Sequence, residues 1–296
     1  MRPNTITILV LGVISLGTVH FLEKLAVGEG APPAPFALGQ TAVALAALIP
    51  VWLWKRTRTG LELWHSRRIG SLALIGVLAS GVVVLLSIMA LSHTSATHKG
   101  VIQAAYPMGT MVFAWLLLRE RINLLGYVAA TVIIAGLILM TSRGLNSTPN
   151  PGDWILIATI PLMGFTDAYS KKVLRDVPPV TVSLGRYLFG TLFLVGLLAL
   201  VDLGSMRDLL PVWPQLLGAG LLSAQAMGFF YWAVKRIGPS LSAGFLASAP
   251  VVTVVLEWWW LDADFAVIQL LGVILVIGGA IVLARQHRVR AAEARG

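Results

Sequence analysis

Ten stretches of this chain run for about twenty residues each with almost no charge: near 5–27, 34–54, 69–91, 97–118, 123–142, 152–172, 180–201, 211–234, 239–261 and 265–284. Coiled as a helix, such a stretch is long enough to cross a hydrocarbon core of about 30 Å. The spans take up most of the 296 residues and leave only short connections. A soluble domain carries roughly 25% charged residues. Here the figure is 12%, too few to cover the outside of a protein facing water. The predicted fold class is an all-α integral membrane protein with ten transmembrane helices.

Charge sets the expected orientation. With the N-terminus in the cytoplasm, cytoplasmic segments hold 17 of the 22 Lys and Arg residues, among them Lys55, Arg56 and Arg58, Lys171 and Lys172, and the tail from Arg285 to Arg295. That asymmetry follows the positive-inside rule and predicts both termini on the cytoplasmic side of the inner membrane. The net charge of +9 is therefore read as a topology anchor beside anionic lipid, with no nucleic acid as partner. The first span ends in His20, Glu23 and Lys24 where a cleavage site would stand, so it is read as a retained helix and not a signal peptide.

The chain also repeats itself. Residues 90–140 align without a gap on 233–283 at an offset of 143, and ten pairs are identical, including Pro107 with Pro250, Thr110 with Thr253, Trp115 with Trp258 and Gly136 with Gly279. Shifted by 147, residues 8–27 lie over 155–174, so that Gly17 meets Gly164, His20 meets Asp167 and Lys24 meets Lys171. One residue fewer in the next loop brings Gly39 over Gly185 and Gln40 over Arg186. The prediction is two halves, 1–145 and 150–296, each of five helices. Five is odd, so the second is inverted in the membrane relative to the first. Inverted repeats supply two near-equivalent shapes, open to one side or the other.

These residues carry a resemblance. The stretch 90–122, with its Ser-Ala start, central proline and Arg119-Glu120-Arg121 before the next span, resembles the drug/metabolite transporter superfamily, in its EamA group. The likeness covers essentially the whole chain. It implies two five-helix bundles, a central cavity lined mainly by spans 1, 3, 4, 6, 8 and 9, and export or exchange of small metabolites. Two positions depart from the pattern. Asp262 and Asp264 flank the site of the second-half glutamate, and Gln40 replaces the arginine that Arg186 keeps.

Chemistry must come from polar groups at membrane depth, which are costly and mark pathways or paired sites. In span 1, His20 shares a helix face with Glu23 and Lys24. Glu23 and Lys24 can snorkel to the interface, while His20 lies deeper and suits either proton exchange or a hydrogen bond between helices. Asp167 sits too deep for its short side chain to reach headgroups, so it must be paired or carry its proton. Arg186 lies at similar depth, and an Asp167–Arg186 salt bridge is one expectation. The other is that substrate or a proton competes for one partner. In span 4, Lys99, Gln103 and Tyr106 share a face beside His98, and Pro107 is expected mid-helix, where it frees a carbonyl near residue 103. Gln225 and Tyr231 are candidates in span 8. Trp258 stands among Trp259 and Trp260 next to Glu257, either in an interfacial belt or turned inward. Glycines such as Gly136 and Gly279 suit close helix contact, and a homodimer through the fifth and tenth spans is one arrangement they allow.

The expected substrate-binding set is His20, Gln40, Lys99, Gln103, Tyr106, Arg186, Gln225 and Trp258, with Asp167, His20 and Glu23 coupling to protons. No HExxH, GxSxG or Gly-Lys-Ser/Thr loop is present and there is no cysteine, so no enzyme, cofactor or metal site is expected. The leading expectation is a secondary active exporter or exchanger of small metabolites such as amino acids, working by alternating access and coupled to protons. An anion exchanger using Lys99, Arg186 and His20, a lipid-facing translocase, and a non-transporting partner subunit of an envelope complex are the alternatives.

Overall fold

The structure, a computed structural model, describes residues 3–59, 66–94, 99, 102, 105–119, 124–141, 150–201 and 205–260, and of the last span 268, 271–272, 274–276, 278–279 and 282. Proline opens most of its helices. Its missing N–H is one the first turn leaves unbonded in any case, and its fixed φ already suits a helix. Thus Pro33 starts α2 (Pro33–Thr59), Pro179 starts α8 (Pro179–Leu200), Pro214 lies in the first turn of α9 (Trp213–Ile237) and Pro239 starts α10 (Pro239–Leu246). Pro151 follows the N-cap Asn150 of α7 (Pro151–Val173), where Asn150 and Asp153 cap each other's backbone N–H. The remaining elements are α1 (Pro3–Gly28), α3 (Ser66–Ile75), a π-helical turn (Gly76–Val82), α4 (Val83–Leu91), α5 (Tyr106–Leu118), α6 (Leu124–Thr141), a 3-10 segment (Met206–Val212) and α11 (Ala249–Trp260).

Six of the helical spans are long and apolar enough to cross a membrane, and Tyr106–Leu118 and Leu124–Gly136 are shorter apolar helices. With α7 and the helical residues of the last span, the ten predicted segments are helical where described, apart from turns at 105 and 247–248 and a bend at 201. Large apolar side chains such as Leu124, Trp154, Leu200, Trp213 and Trp259 stand exposed around the outside, as lipid-facing positions require.

The prolines expected inside spans four and nine do not kink a continuous helix. Each span is broken instead. Ala105 makes a turn before α5, whose first turn holds Pro107; residues 247–248 make a turn before α11, whose first turn holds Pro250. Irregular backbone at this depth is tolerated where it lines a cavity.

Packing between the elements comes in reciprocal pairs. Helix α1 packs on α9 and α11, while α7 packs on the α3–π–α4 span and α5. Residue contacts repeat the pattern. A Cβ on Gly17 would lie 2.4 Å from the Ala249 carbonyl and 2.6 Å from Val252 Cβ. On its counterpart Gly164 it would lie 2.4 Å from the backbone of Gly109, the residue equivalent to Val252. Likewise Gly76 abuts the Arg186 carbonyl and Phe189 Cβ, and Gly220 abuts the Gln40 carbonyl and Val43 Cβ. Between Gly76 and Ser80 lie four steps of chain, but between Gly220 and Ser223 only three. The π-helical turn accommodates that one extra residue, which is what a π-bulge is. The fifth and tenth spans approach closely within the chain itself, with Gly136 against Gly272 and Gly279 against Ala129 and Ile133.

Candidate functional site

Where α1, α2, the π turn, α4, α7, α8 and α9 converge with the two broken spans, they enclose a cavity of about 1020 Å³, open space at its mouth included. Its walls are largely apolar, with Leu16, Val83, Met163, Met227, Phe230 and Leu246 among them. Its polar lining includes His20, Glu23, Gln40, Lys99, Tyr106, Asp167 and Arg186. In lipid a polar side chain is driven to face protein or water, and a span offers only one such face.

Arg186 projects from the second turn of α8 toward the π turn. Its Nε donates to Ser80 Oγ at 2.8 Å, Nη1 to Tyr231 Oη at 3.2 Å and Nη2 to the Ala79 carbonyl at 3.3 Å. The π turn makes the last contact available: the Val83 N–H goes to the Leu78 carbonyl, not to that of Ala79 as an α-helix would have it. A guanidinium has five N–H groups. Among the described residues three are engaged, all by neutral acceptors, and one N–H on each Nη is left over.

Asp167 is held separately. Its Oδ2 accepts from Tyr106 Oη at 2.5 Å and from Thr110 Oγ1 at 3.4 Å, both on α5. No salt bridge joins it to Arg186, so the expected pair is not made. Each charge found neutral hydroxyls on a neighbouring helix instead.

The same cavity also holds a linked cluster. Glu23, which is buried and does not snorkel, accepts from Lys99 Nζ on Oε2 at 3.1 Å and from Gln40 Nε2 on Oε1 at 2.9 Å. The same Gln40 nitrogen donates to Ser223 Oγ at 3.0 Å. Gln40–Ser223 and Arg186–Ser80 are equivalent contacts, because 40 corresponds to 186 and 80 to 223 at the repeat offsets. The serines were not singled out from the sequence, although their equivalence at an offset of 143 was readable there. Tyr187, whose hydroxyl donates to the Ser223 carbonyl at 2.9 Å, was also missed. Next to Glu23 in the chain, Lys24 pairs with Glu257 of α11 at 2.8 Å.

Gln225 and Trp258 stand outside the cavity. Gln225 is exposed on α9, since Ser223 and Met227 take the inner face and a residue midway between them points away. Trp258 is 54% exposed beside Trp259 and Trp260 and lies in an outward belt, as does Trp115. Gln103, His98, Glu120, Arg121, Asp262 and Asp264 fall outside the described residues. Among those described, no group of three or more metal-ligating side chains occurs.

Comparison with known proteins bears on this arrangement. The model of the EamA-like transporter family matches residues 4–142 and 150–285. An uncharacterised transporter of Bacillus subtilis (strain 168), YetK, is 26% identical over 64% of this chain, and the match spans 60% of that relative's length. A probable terminal-alkyne amino-acid exporter of Streptantibioticus cattleyicolor is 25% identical over 68% of each chain. A second uncharacterised Bacillus subtilis transporter, YyaM, is 21% identical over 98% of this chain and 96% of its own. A solved crystal structure with 18% sequence identity covers 94% of this chain and 97% of its own with a TM-score of 0.74, which is a likeness of fold.

Proposed function

Since the chain belongs to the EamA-like transporter family and is an all-α membrane transporter, we propose that it is a secondary active exporter or exchanger of small zwitterionic metabolites of the amino-acid type. One observation carries this reading. A single cavity presents a guanidinium and a carboxylate that are not paired with each other and rest on neutral partners. A ligand bearing one charge of each sign answers both. Its carboxylate takes the two remaining Nη–H groups of Arg186, and its ammonium takes Asp167. An anion alone would leave Asp167 unanswered, and Lys99 offers it little because its ammonium already rests on Glu23. The name of one relative, an amino-acid exporter, points the same way.

Transport proceeds by alternating access, the two halves exchanging shapes around a fixed site. The reciprocal contacts of Gly17 and Gly164, and of Gln40–Ser223 and Arg186–Ser80, support that mechanism, since each half already makes the other's contacts. The chain has no nucleotide-binding loop, so a gradient drives uphill movement. A proton and the substrate ammonium compete for Asp167, which gives exchange of one for the other, and His20 stands at the equivalent position of the first half. Both termini lie in the cytoplasm, and a homodimer would use the lipid-facing sides of the fifth and tenth spans.

The test is counterflow in proteoliposomes loaded with single amino acids, organic acids or amines. Zwitterions should exchange and the simple acids and amines should not. Equal exchange of acids lacking an amino group removes the zwitterion reading.

A further inference from the structure

Asp167 and the residues that hold Arg186 each stand one turn from an apolar side chain of the cavity wall. Tyr231, which accepts from Arg186, is four residues from Met227 on α9; Ser80, which accepts from the same guanidinium, is four from Val84; Asp167 is four from Met163 on α7. Four residues of helix return to nearly the same face and rise about 6 Å. Four residues before Met227 on α9 comes Ser223, which accepts from Gln40 of the Glu23–Lys99 cluster. The lining is thus layered along α9. The guanidinium lies at the level of Tyr231, a methionine one turn on, and the ion-pair cluster at the level of Ser223, roughly 12 Å from the first.

That cluster offers nothing to a charged side chain. Lys99 and Glu23 answer each other, with side chains 6% and 8% exposed. Gln40 Oε1 lacks a partner among the described residues, but it is fully covered, so no ligand reaches it. His20 also lines the cavity and is the proton partner proposed above. The middle layer is different. Met163 and Val84 line the cavity and keep part of their surface accessible, and Met227, 9% exposed, backs them. Methionine is flexible and polarisable, and adapts to apolar partners of irregular shape.

We infer that Met163, Val84 and Met227 form an apolar belt that receives the side chain of the substrate, and that the substrate is an amino acid with an uncharged, apolar side chain of the length of leucine or methionine. On the zwitterion reading, which this assignment presupposes, the carboxylate rests on Arg186 and the ammonium on Asp167, and the side chain has the layer one turn away. Burial against the belt favours binding in proportion to the apolar area covered. A terminal amide buried there finds no hydrogen-bond partner and is penalised.

Proteoliposome counterflow on the full chain compares methionine with glutamine, which matches it in length, and with alanine, which leaves the belt uncovered. The wild type should prefer methionine over both by about tenfold or more. Met163→Gln, which keeps the length but adds an amide, should bring the methionine-to-glutamine ratio toward one. Met163→Ala, which widens the belt and serves where the glutamine variant does not fold, should raise transport of tryptophan relative to methionine severalfold. Arg186→Gln should lower all substrates together. A wild-type ratio near one, or ratios unchanged in the folded Met163 variants, overturns the belt while leaving Arg186 intact. Full transport by Arg186→Gln, or transport of no amino acid by the wild type, overturns the zwitterion reading and the belt with it.

Discussion

Arg186 and Asp167 line one cavity from adjacent helices, yet each takes its hydrogen bonds from neutral groups and not from the other. A charge-assisted hydrogen bond contributes about 1.5–3 kcal/mol, so losing the guanidinium should weaken binding of a carboxylate substrate by roughly ten- to a hundredfold. Arg186→Gln is expected to raise the substrate KM by that factor, and Arg186→Lys to recover only part, because an ammonium cannot grip two oxygens in a plane. Adding Asp167→Asn to Arg186→Gln should restore no thermal stability in detergent, there being no salt bridge to relieve. Recovery of stability in the double variant contradicts that separation.

Asp167, expected with His20 and Glu23 to couple to protons, is held by Tyr106. Asp167→Asn should abolish acceleration of transport by an imposed pH gradient while solute-for-solute exchange continues at a reduced rate. Tyr106→Phe removes the 2.5 Å bond to the carboxylate and should lower stability by about 1.5–3 kcal/mol. Transport that keeps its full response to the gradient in both Asp167→Asn and His20→Gln rules out coupling at either residue.

Glu23 and Lys99 form a buried ion pair with side chains 8% and 6% exposed. Removing one partner of such a pair leaves a charge uncompensated, at a cost of about 3–5 kcal/mol. Lys99→Met should therefore be strongly destabilised, and Glu23→Gln in the same chain should return most of the loss. Additive losses in the double variant, read by thermal melting, would mean the pair contributes nothing as a pair.

Gly17 and Gly164 sit where a methyl group would strike backbone atoms of the opposing helix at 2.4 Å. Overpacking of this kind costs about 1–3 kcal/mol, more than the roughly 1 kcal/mol that alanine gains over glycine within a helix. Gly17→Ala and Gly164→Ala should each lower stability, and to a similar extent, since the two contacts are equivalent. A large effect at one site with none at the other would show that the halves are not interchangeable at this contact.

Orientation is open to direct measurement. A reporter active only in the cytoplasm should give signal when fused after residue 60 and none after residue 146. The reverse result would invert the assignment of both termini.

Several features were determined by the sequence alone. Lipid offers the backbone no hydrogen bonds, so an apolar run of twenty residues has little choice but to be a helix, and the number and order of the spans follow. The same solvent drives polar side chains inward, which is why His20, Glu23, Gln40, Lys99, Tyr106, Asp167 and Arg186 could be picked out one by one and stand around a single cavity. Which of them meet was decided only in three dimensions. Arg186 turned to Ser80, Tyr231 and a carbonyl made available by a π turn, and Asp167 turned to Tyr106 on α5. Gln225, two residues beyond Ser223, faces outward. Spacing along a chain sets the face of one helix, but hydrogen-bond partners depend on how the faces of several helices are rotated against each other. A single extra residue, such as the one taken up between Gly76 and Ser80, turns a helix face by about 100°, and that rotation cannot be read from composition or periodicity.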